Sequence, residues 1–184
     1  MNETMKNLLN RRSTRAYKLE QIKDDELSMI LEGGRFAPSA INEQPWHFTV
    51  IQNKELLNRI NEACKAALIK SDQRFAERAK EEDFSVFYNS PTLIIVSGDE
   101  KTVAPQIDCA LALGNMFLAA EAIGIGSCWI HAIASILNSE DGAELRKELK
   151  IPQEHIAYCS GAFGYKAMES TAPERKENTV SIIR

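Results

Sequence analysis

The chain has 184 residues, 44% hydrophobic and 26% charged, enough for one domain with a core of its own. A net charge of −4 leaves no global basic field of the kind that binds nucleic acid, so any basic cluster needs a local explanation. The longest apolar runs fall well short of the roughly 20 residues of a membrane span, and the N-terminus, with Asn2, Glu3 and Lys6, has no signal-peptide core. We expect a cytoplasmic protein with no nucleic-acid or membrane partner. The cysteines at 64, 109, 128 and 159 form no CxxC pair, and the histidines at 47, 131 and 155 have no metal-ligand spacing. No metal site is expected.

Residues 4–12 predict a first helix, with Thr4 as its cap and Leu8 and Leu9 turned inward. A second runs from Lys23 to Arg35, capped by Asp24 or Asp25. Leu27, Ile30 and Leu31 share one face, and Gly33-Gly34 end or loosen it. Residues 47–52 read as a strand, followed by a helix with Leu56, Leu57, Ile60, Ala63 and Ala67 inward. The charged run 71–83 is either a solvated helix or a mobile segment. Thr92–Val96, apolar throughout, is a strand covered on both faces. Residues 106–123 form an almost wholly apolar helix, to be buried centrally or at a subunit interface. Ser127–Ile130 leads out of it. A helix at 140–149 and a strand at 156–160 follow, and the terminal Val180–Ile183 needs cover from its own sheet or a partner's. Helices and strands alternate without a βαβ rhythm, which points to an α+β class with a mixed sheet.

Two segments carry chemistry. Arg11-Arg12-Ser13-Thr14-Arg15 puts three guanidiniums and two hydroxyls within five residues, a donor set matched to phosphate. Pro38-Ser39-Ala40-Ile41-Asn42-Glu43-Gln44-Pro45-Trp46 is a loop bracketed by prolines, rich in small and amide side chains. Gly124-Ile125-Gly126-Ser127-Cys128-Trp129 lacks the third glycine of a dinucleotide fingerprint and follows a helix rather than a strand. Cys128 has no basic neighbour in sequence to activate it as a nucleophile.

In this order and near the N-terminus, the arginine segment and the proline loop resemble those of the nitroreductase family of FMN-dependent oxidoreductases. The resemblance implies a three-layer fold, a central mixed sheet flanked by helices, in a homodimer with FMN sites shared at its interface. Each C-terminal segment would extend onto the partner subunit. It implies that Arg11 and Ser13 serve the FMN phosphate, that Arg15 serves the pyrimidine edge of the ring, and that Arg12 also binds the cofactor. Pro38, Ser39 and Asn42 would pack on the flavin from the other subunit, Ser127 would lie along it, and Arg175 and Lys176 would close on the phosphate. Phe84, Phe87 and Tyr88 supply an aromatic wall or ordinary core. No side chain is expected to be catalytic, because flavin N5 carries the hydride from NADH or NADPH to a small electron-poor acceptor. Two alternatives stay open: a specialised reaction on the same fold, such as flavin fragmentation or reductive dehalogenation, and a non-enzymatic FMN-binding redox module.

Overall fold

The structure is a computed structural model that describes residues 1–71 and 73–184, and all of their side chains except those of Ser71, Gln73 and Arg74. Asp72, part of the charged run, lies outside the described residues.

Four strands form one antiparallel sheet in the order β1-β2-β4-β3, from β1 (Trp46–Ile51), β2 (Thr92–Asp99), β3 (Ile125–Trp129) and β4 (His155–Tyr165). Among the described residues, parallel pairing enters only through an isolated bridge between Ser13 and Ser127. Strand periodicity sends alternate residues of β2 to opposite faces, which is why its run is apolar throughout. Leu93 and Ile95 enter a core shared with α3 (Lys54–Ser71) and α6 (Ala132–Leu137). Ile94 and Val96 enter a second core shared with α2 (Asp24–Arg35) and α5 (Pro105–Ala122). The result is helix, sheet, helix: the three-layer α+β architecture expected.

The outer pieces are α1 (Glu3–Asn10), α4 (Gln73–Ala79) and α7 (Ala143–Glu148). α1 is capped by Asn2, whose side chain accepts from the Met5 N–H at 2.9 Å, rather than by Thr4. Leu8 and Leu9 are exposed, not inward. α2 starts where expected, but it is the Glu26 carboxylate that accepts the Lys23 N–H, at 2.9 Å. Gly33 and Gly34 do not end this helix, which continues to Arg35. A Cβ on Gly33 would lie 2.8 Å from that of Ala119, and one on Gly34 would strike Met116. The glycines let α2 and α5 approach closely.

α5 is not buried on all sides within one chain. Cys109, Ala112, Leu113, Met116 and Ala120 are buried, whereas Ile107 and Leu111, one turn apart, face outward. Gly114, one turn further, has open space where a Cβ would stand. β4 is twice the expected length, because it continues through Gly161 and Gly164 to Tyr165. Beyond Lys166 the chain forms no helix or strand, and Val180, Ile182 and Ile183 are exposed.

Candidate anion-binding and acceptor site

Residues 13–18 run extended along the end of the sheet. The Thr14 N–H donates to the Ser127 carbonyl at 2.9 Å, and the Lys18 N–H to the Tyr165 carbonyl at 2.9 Å. Tyr17 bridges to Lys166, and the Ala167 N–H returns to the Ala16 carbonyl at 3.0 Å. Extended backbone alternates its side chains, which sorts the basic cluster into two faces.

Arg11, Ser13 and Arg15 share one face. The Arg11 guanidinium lies 5.9 Å from the centroid of Phe117 in α5, and that of Arg15 lies 6.0 Å from the Tyr88 ring. Arg12 and Thr14 take the other face. Arg12 donates to the Arg11 carbonyl at 2.7 Å and lines a polar cleft of about 340 Å³ with Asn10, Glu121, Lys166 and Glu169. Among the described residues, no ion pair to a carboxylate involves Arg11, Arg12 or Arg15. The donor set therefore suits an anionic group, with Arg11 and Ser13 at one end and Arg15 about two residues further on.

Ser127 is buried, and its segment is a strand, β3. A Cβ on Gly126 would lie 2.6 Å from the Thr14 hydroxyl, so glycine is there to let residues 13–14 pair against β3. Cys128 does have basic neighbours, brought by the fold rather than by sequence proximity. Burial pushes its thiol up, while Arg15, a hydrogen bond with Ser13, and Arg11 pull it down; burial prevails. The thiol stays protonated and is no nucleophile. Burial also raises the Tyr17 phenol, whose OH donates to the Ala162 carbonyl at 3.3 Å.

The Pro38 loop is braced from within. The Ser39 hydroxyl accepts the Gln44 N–H at 3.0 Å, and the Asn42 carbonyl oxygen accepts from the Gln44 side-chain amide at 3.1 Å. Ile41, Asn42 and Gln44 have φ of 43°, 60° and 49°, a left-handed conformation that non-glycine residues adopt at a cost of order 1–3 kcal/mol each. Asp108, only 2% exposed, holds the loop by accepting the Ala40 N–H on both carboxylate oxygens, at 3.2 and 3.3 Å. In the sequence, the signal for this role is one carboxylate isolated in a run of apolar residues.

Within one chain this loop and the arginine face do not meet. The loop enters β1 and the arginine segment pairs with β3, the opposite edges of the sheet, roughly 14 Å apart at three strand spacings. Along α5, Asp108 and Phe117 are separated by about 13.5 Å of helix rise. Pro38 and Asn42 are exposed and Ser39 half-buried. Arg175 and Lys176 are exposed, and among the described residues no ion pair ties them to the arginine segment.

Beside Arg15 a cleft of about 470 Å³ opens between α4, residues 84–88 and the start of α6. Phe84, Tyr88 and Trp129 line it, whereas Phe87 is buried in the core. Asn61 fixes this wall: its carbonyl oxygen accepts the Val86 N–H at 2.9 Å and its amide donates to the Phe84 carbonyl at 3.2 Å. Asn61 is a residue of this site that the sequence pattern does not single out.

A three-layer α+β domain with an unpaired arginine face at the sheet edge, next to an aromatic cleft, defines a small-molecule-binding class with an anionic ligand. Within it, the chain belongs to the nitroreductase family, whose model matches residues 8–165. A nitroreductase from Bacteroides fragilis, solved with bound FMN, is 38% identical and superposes with a TM-score of 0.92 over 100% of both chains. A protein of Archaeoglobus fulgidus with the provisional name NADH dehydrogenase/NAD(P)H nitroreductase is 32% identical over 170 residues, 90% of this chain and 86% of its own. The NAD(P)H-dependent FMN reductase of Bacillus subtilis is 29% identical over 187 residues, 95% of this chain and 70% of that one.

Proposed function

We propose that the protein is an FMN-dependent oxidoreductase that uses NADH or NADPH to reduce small electron-poor acceptors such as nitroaromatics, quinones or enones. The observation that carries this reading is the face of Arg11, Ser13 and Arg15, whose guanidiniums form no ion pair among the described residues and whose backbone pairs with β3. Arg11 and Ser13 would hold the phosphate, the first through a two-pronged guanidinium contact. Arg15, stacked near Tyr88, would set a positive field at the pyrimidine edge, where negative charge gathers on reduction. Bound FMN supplies hydride transfer at N5. Tyr17 stays protonated and keeps its OH on the Ala162 carbonyl, so it holds shape rather than moving a proton. No acid–base pair is required of the chain.

Two copies pair, in this proposal, through the outward stripe of α5 at Ile107, Leu111 and Gly114. Pro38, Ser39, Asn42, Arg175 and Lys176 then act on the flavin held by the partner subunit, and Ser127 lines it from its own chain. Support comes from the separation of loop and arginine face within one chain, and from the exposed apolar residues beside both. Arg12, on the opposite face, would add charge near the phosphate without touching it. Four unpaired, buried cysteines suit the cytoplasm.

The test is the visible absorption spectrum of the purified protein before and after NADH or NADPH is added without air. A flavin spectrum that bleaches is the expected result. A protein that neither carries nor takes up FMN overturns the proposal.

A further inference from the structure

We propose that the cleft between α4, residues 84–88 and α6 is the acceptor site, and that it selects planar aromatic acceptors bearing a carboxylate, which Arg78 recognises. This rests on the function proposed above and names its substrate class.

The cleft's volume of about 470 Å³ falls within the usual range for small-molecule sites. Phe84, Tyr88 and Trp129, the last 40% exposed, give it flat apolar walls suited to stacking on a ring. Its charge is one-sided. The chain has more acidic than basic residues, 26 against 22, yet among the described residues no Asp or Glu lines this cleft; Arg78 and His131 do. A neighbouring cleft of about 430 Å³ shares Arg78, Phe84, Ser85 and Tyr88 and is lined by Glu81 and Asp83 as well as Arg15. The acidic pair therefore belongs to the second cleft alone.

Arg78 ends α4, where a basic residue commonly does no more than complement the helix dipole. Its placement goes further. The guanidinium lies over Phe84, 5.7 Å from the ring centroid, which occupies one of its faces and leaves its edge donors available. Among the described residues no ion pair to a carboxylate involves Arg78. A stacked guanidinium with free edge donors matches the planar, two-oxygen geometry of a carboxylate. Asn61 holds residues 84 and 86 in place, so the walls are formed before any ligand enters. Tyr88 is the wall shared with Arg15, so an acceptor in the cleft lies next to the proposed redox centre. For a nitro acceptor the balance is R–NO₂ + NAD(P)H + H⁺ → R–NO + NAD(P)⁺ + H₂O: one N–O bond breaks, its oxygen leaves as water, and the nicotinamide gives up two electrons as hydride.

The probes are 4-nitrobenzoate and nitrobenzene, compared with the holoenzyme by the ratio of their kcat/KM values. Arg78→Gln is expected to lower the ratio of carboxylate to neutral acceptor by about tenfold or more, the scale of a lost charge-assisted contact. Arg78→Lys, which keeps the charge but not the fork, should recover part of it. A ratio that stays within about twofold in Arg78→Gln, on the scale where an exposed charge contributes little, overturns the proposal. Binding of 4-nitrobenzoate is measured separately by quenching of tryptophan fluorescence, with Trp129→Phe identifying the reporter and no nicotinamide nucleotide present. Saturable quenching that Arg78→Gln weakens sustains the cleft even if NADH and NADPH fail to reduce the protein, in which case it is the oxidoreductase reading that falls. Absence of saturable quenching overturns the cleft assignment even if other acceptors turn over.

Discussion

The two basic ends of this chain differ in how they are held. Arg11–Arg15 sits on backbone that is paired to β3 and to the end of β4, so its side chains face fixed directions. Arg175 and Lys176 lie on backbone with no strand or helix, exposed, in a segment whose apolar residues have nothing to cover them. One end is built by the chain's own sheet. The other has the composition of a binding segment but gains its geometry only against a second surface. A ligand that needs both would bind at the meeting of two copies.

The largest effect expected is from a mixing experiment. Arg11→Ala alone should weaken FMN binding by about 1.5–3 kcal/mol, the usual worth of a hydrogen bond to a charged group, and Arg175→Ala should weaken it as well. If each site takes its two ends from different subunits, mixed dimers of the two variants contain one intact site and one doubly damaged site. FMN titration of the mixture should then regain tight binding in a fraction of sites. No recovery would mean that both ends serve the same chain's site.

The comparison is sharpened by Gly126→Val, which alters no charged group. Its side chain would drive Thr14 off β3 and turn the fixed end into a loose one, costing about 1–3 kcal/mol of stability as overpacking does. FMN affinity should fall with it, as read by fluorescence titration. Asp108→Ala tests the proline loop in the same way. Loss of the Ala40 acceptor, with left-handed residues behind it, should lower stability by about 1–3 kcal/mol, and Asp108→Asn by less, in thermal unfolding.

The smallest effect concerns the hydrogen bond from the Tyr165 OH to Glu26, at 2.6 Å. That bond, with the Lys23 N–H, holds the Glu26 carboxylate below its usual range, and it pushes the Tyr165 phenol up to about 12. Glu26 therefore contributes stability above its unfolded pKa, lost as pH falls through its lowered folded value. Tyr165 contributes below pH 10 or so, lost as pH rises toward about 12. Tyr165→Phe should lower the melting temperature slightly at neutral pH, remove the alkaline dependence and shrink the acid one, which the Lys23 N–H still supports.

Features that depend on one segment alone were legible in the sequence. The apolar run of β2 and the stripe of α3 follow from periodicity, and the arginine segment announces its chemistry by composition. What was misread depends on a second element. Gly33-Gly34 reads as ending or loosening its helix until α5 is placed against it, and the need for glycine at 126 is invisible until Thr14 arrives beside it. The role of Asp108 appears only when the Ala40 N–H meets it. α6, only six residues from Ala132 to Leu137, is too short for a period to show. Of the site, the donors were visible and their sorting onto two faces was not, because that follows from pairing with β3.

The same pairing has a consequence for solubility. β3 is the last strand of the sheet, and an uncovered last strand is a template for a stray chain. Residues 13–14 pair with that strand at Ser127, so one short stretch is both anchor for the ligand and guard of part of the edge. Damage that lifts it away would disarm the site and open a sticky border in a single event, and loss of ligand and onset of aggregation would then appear together.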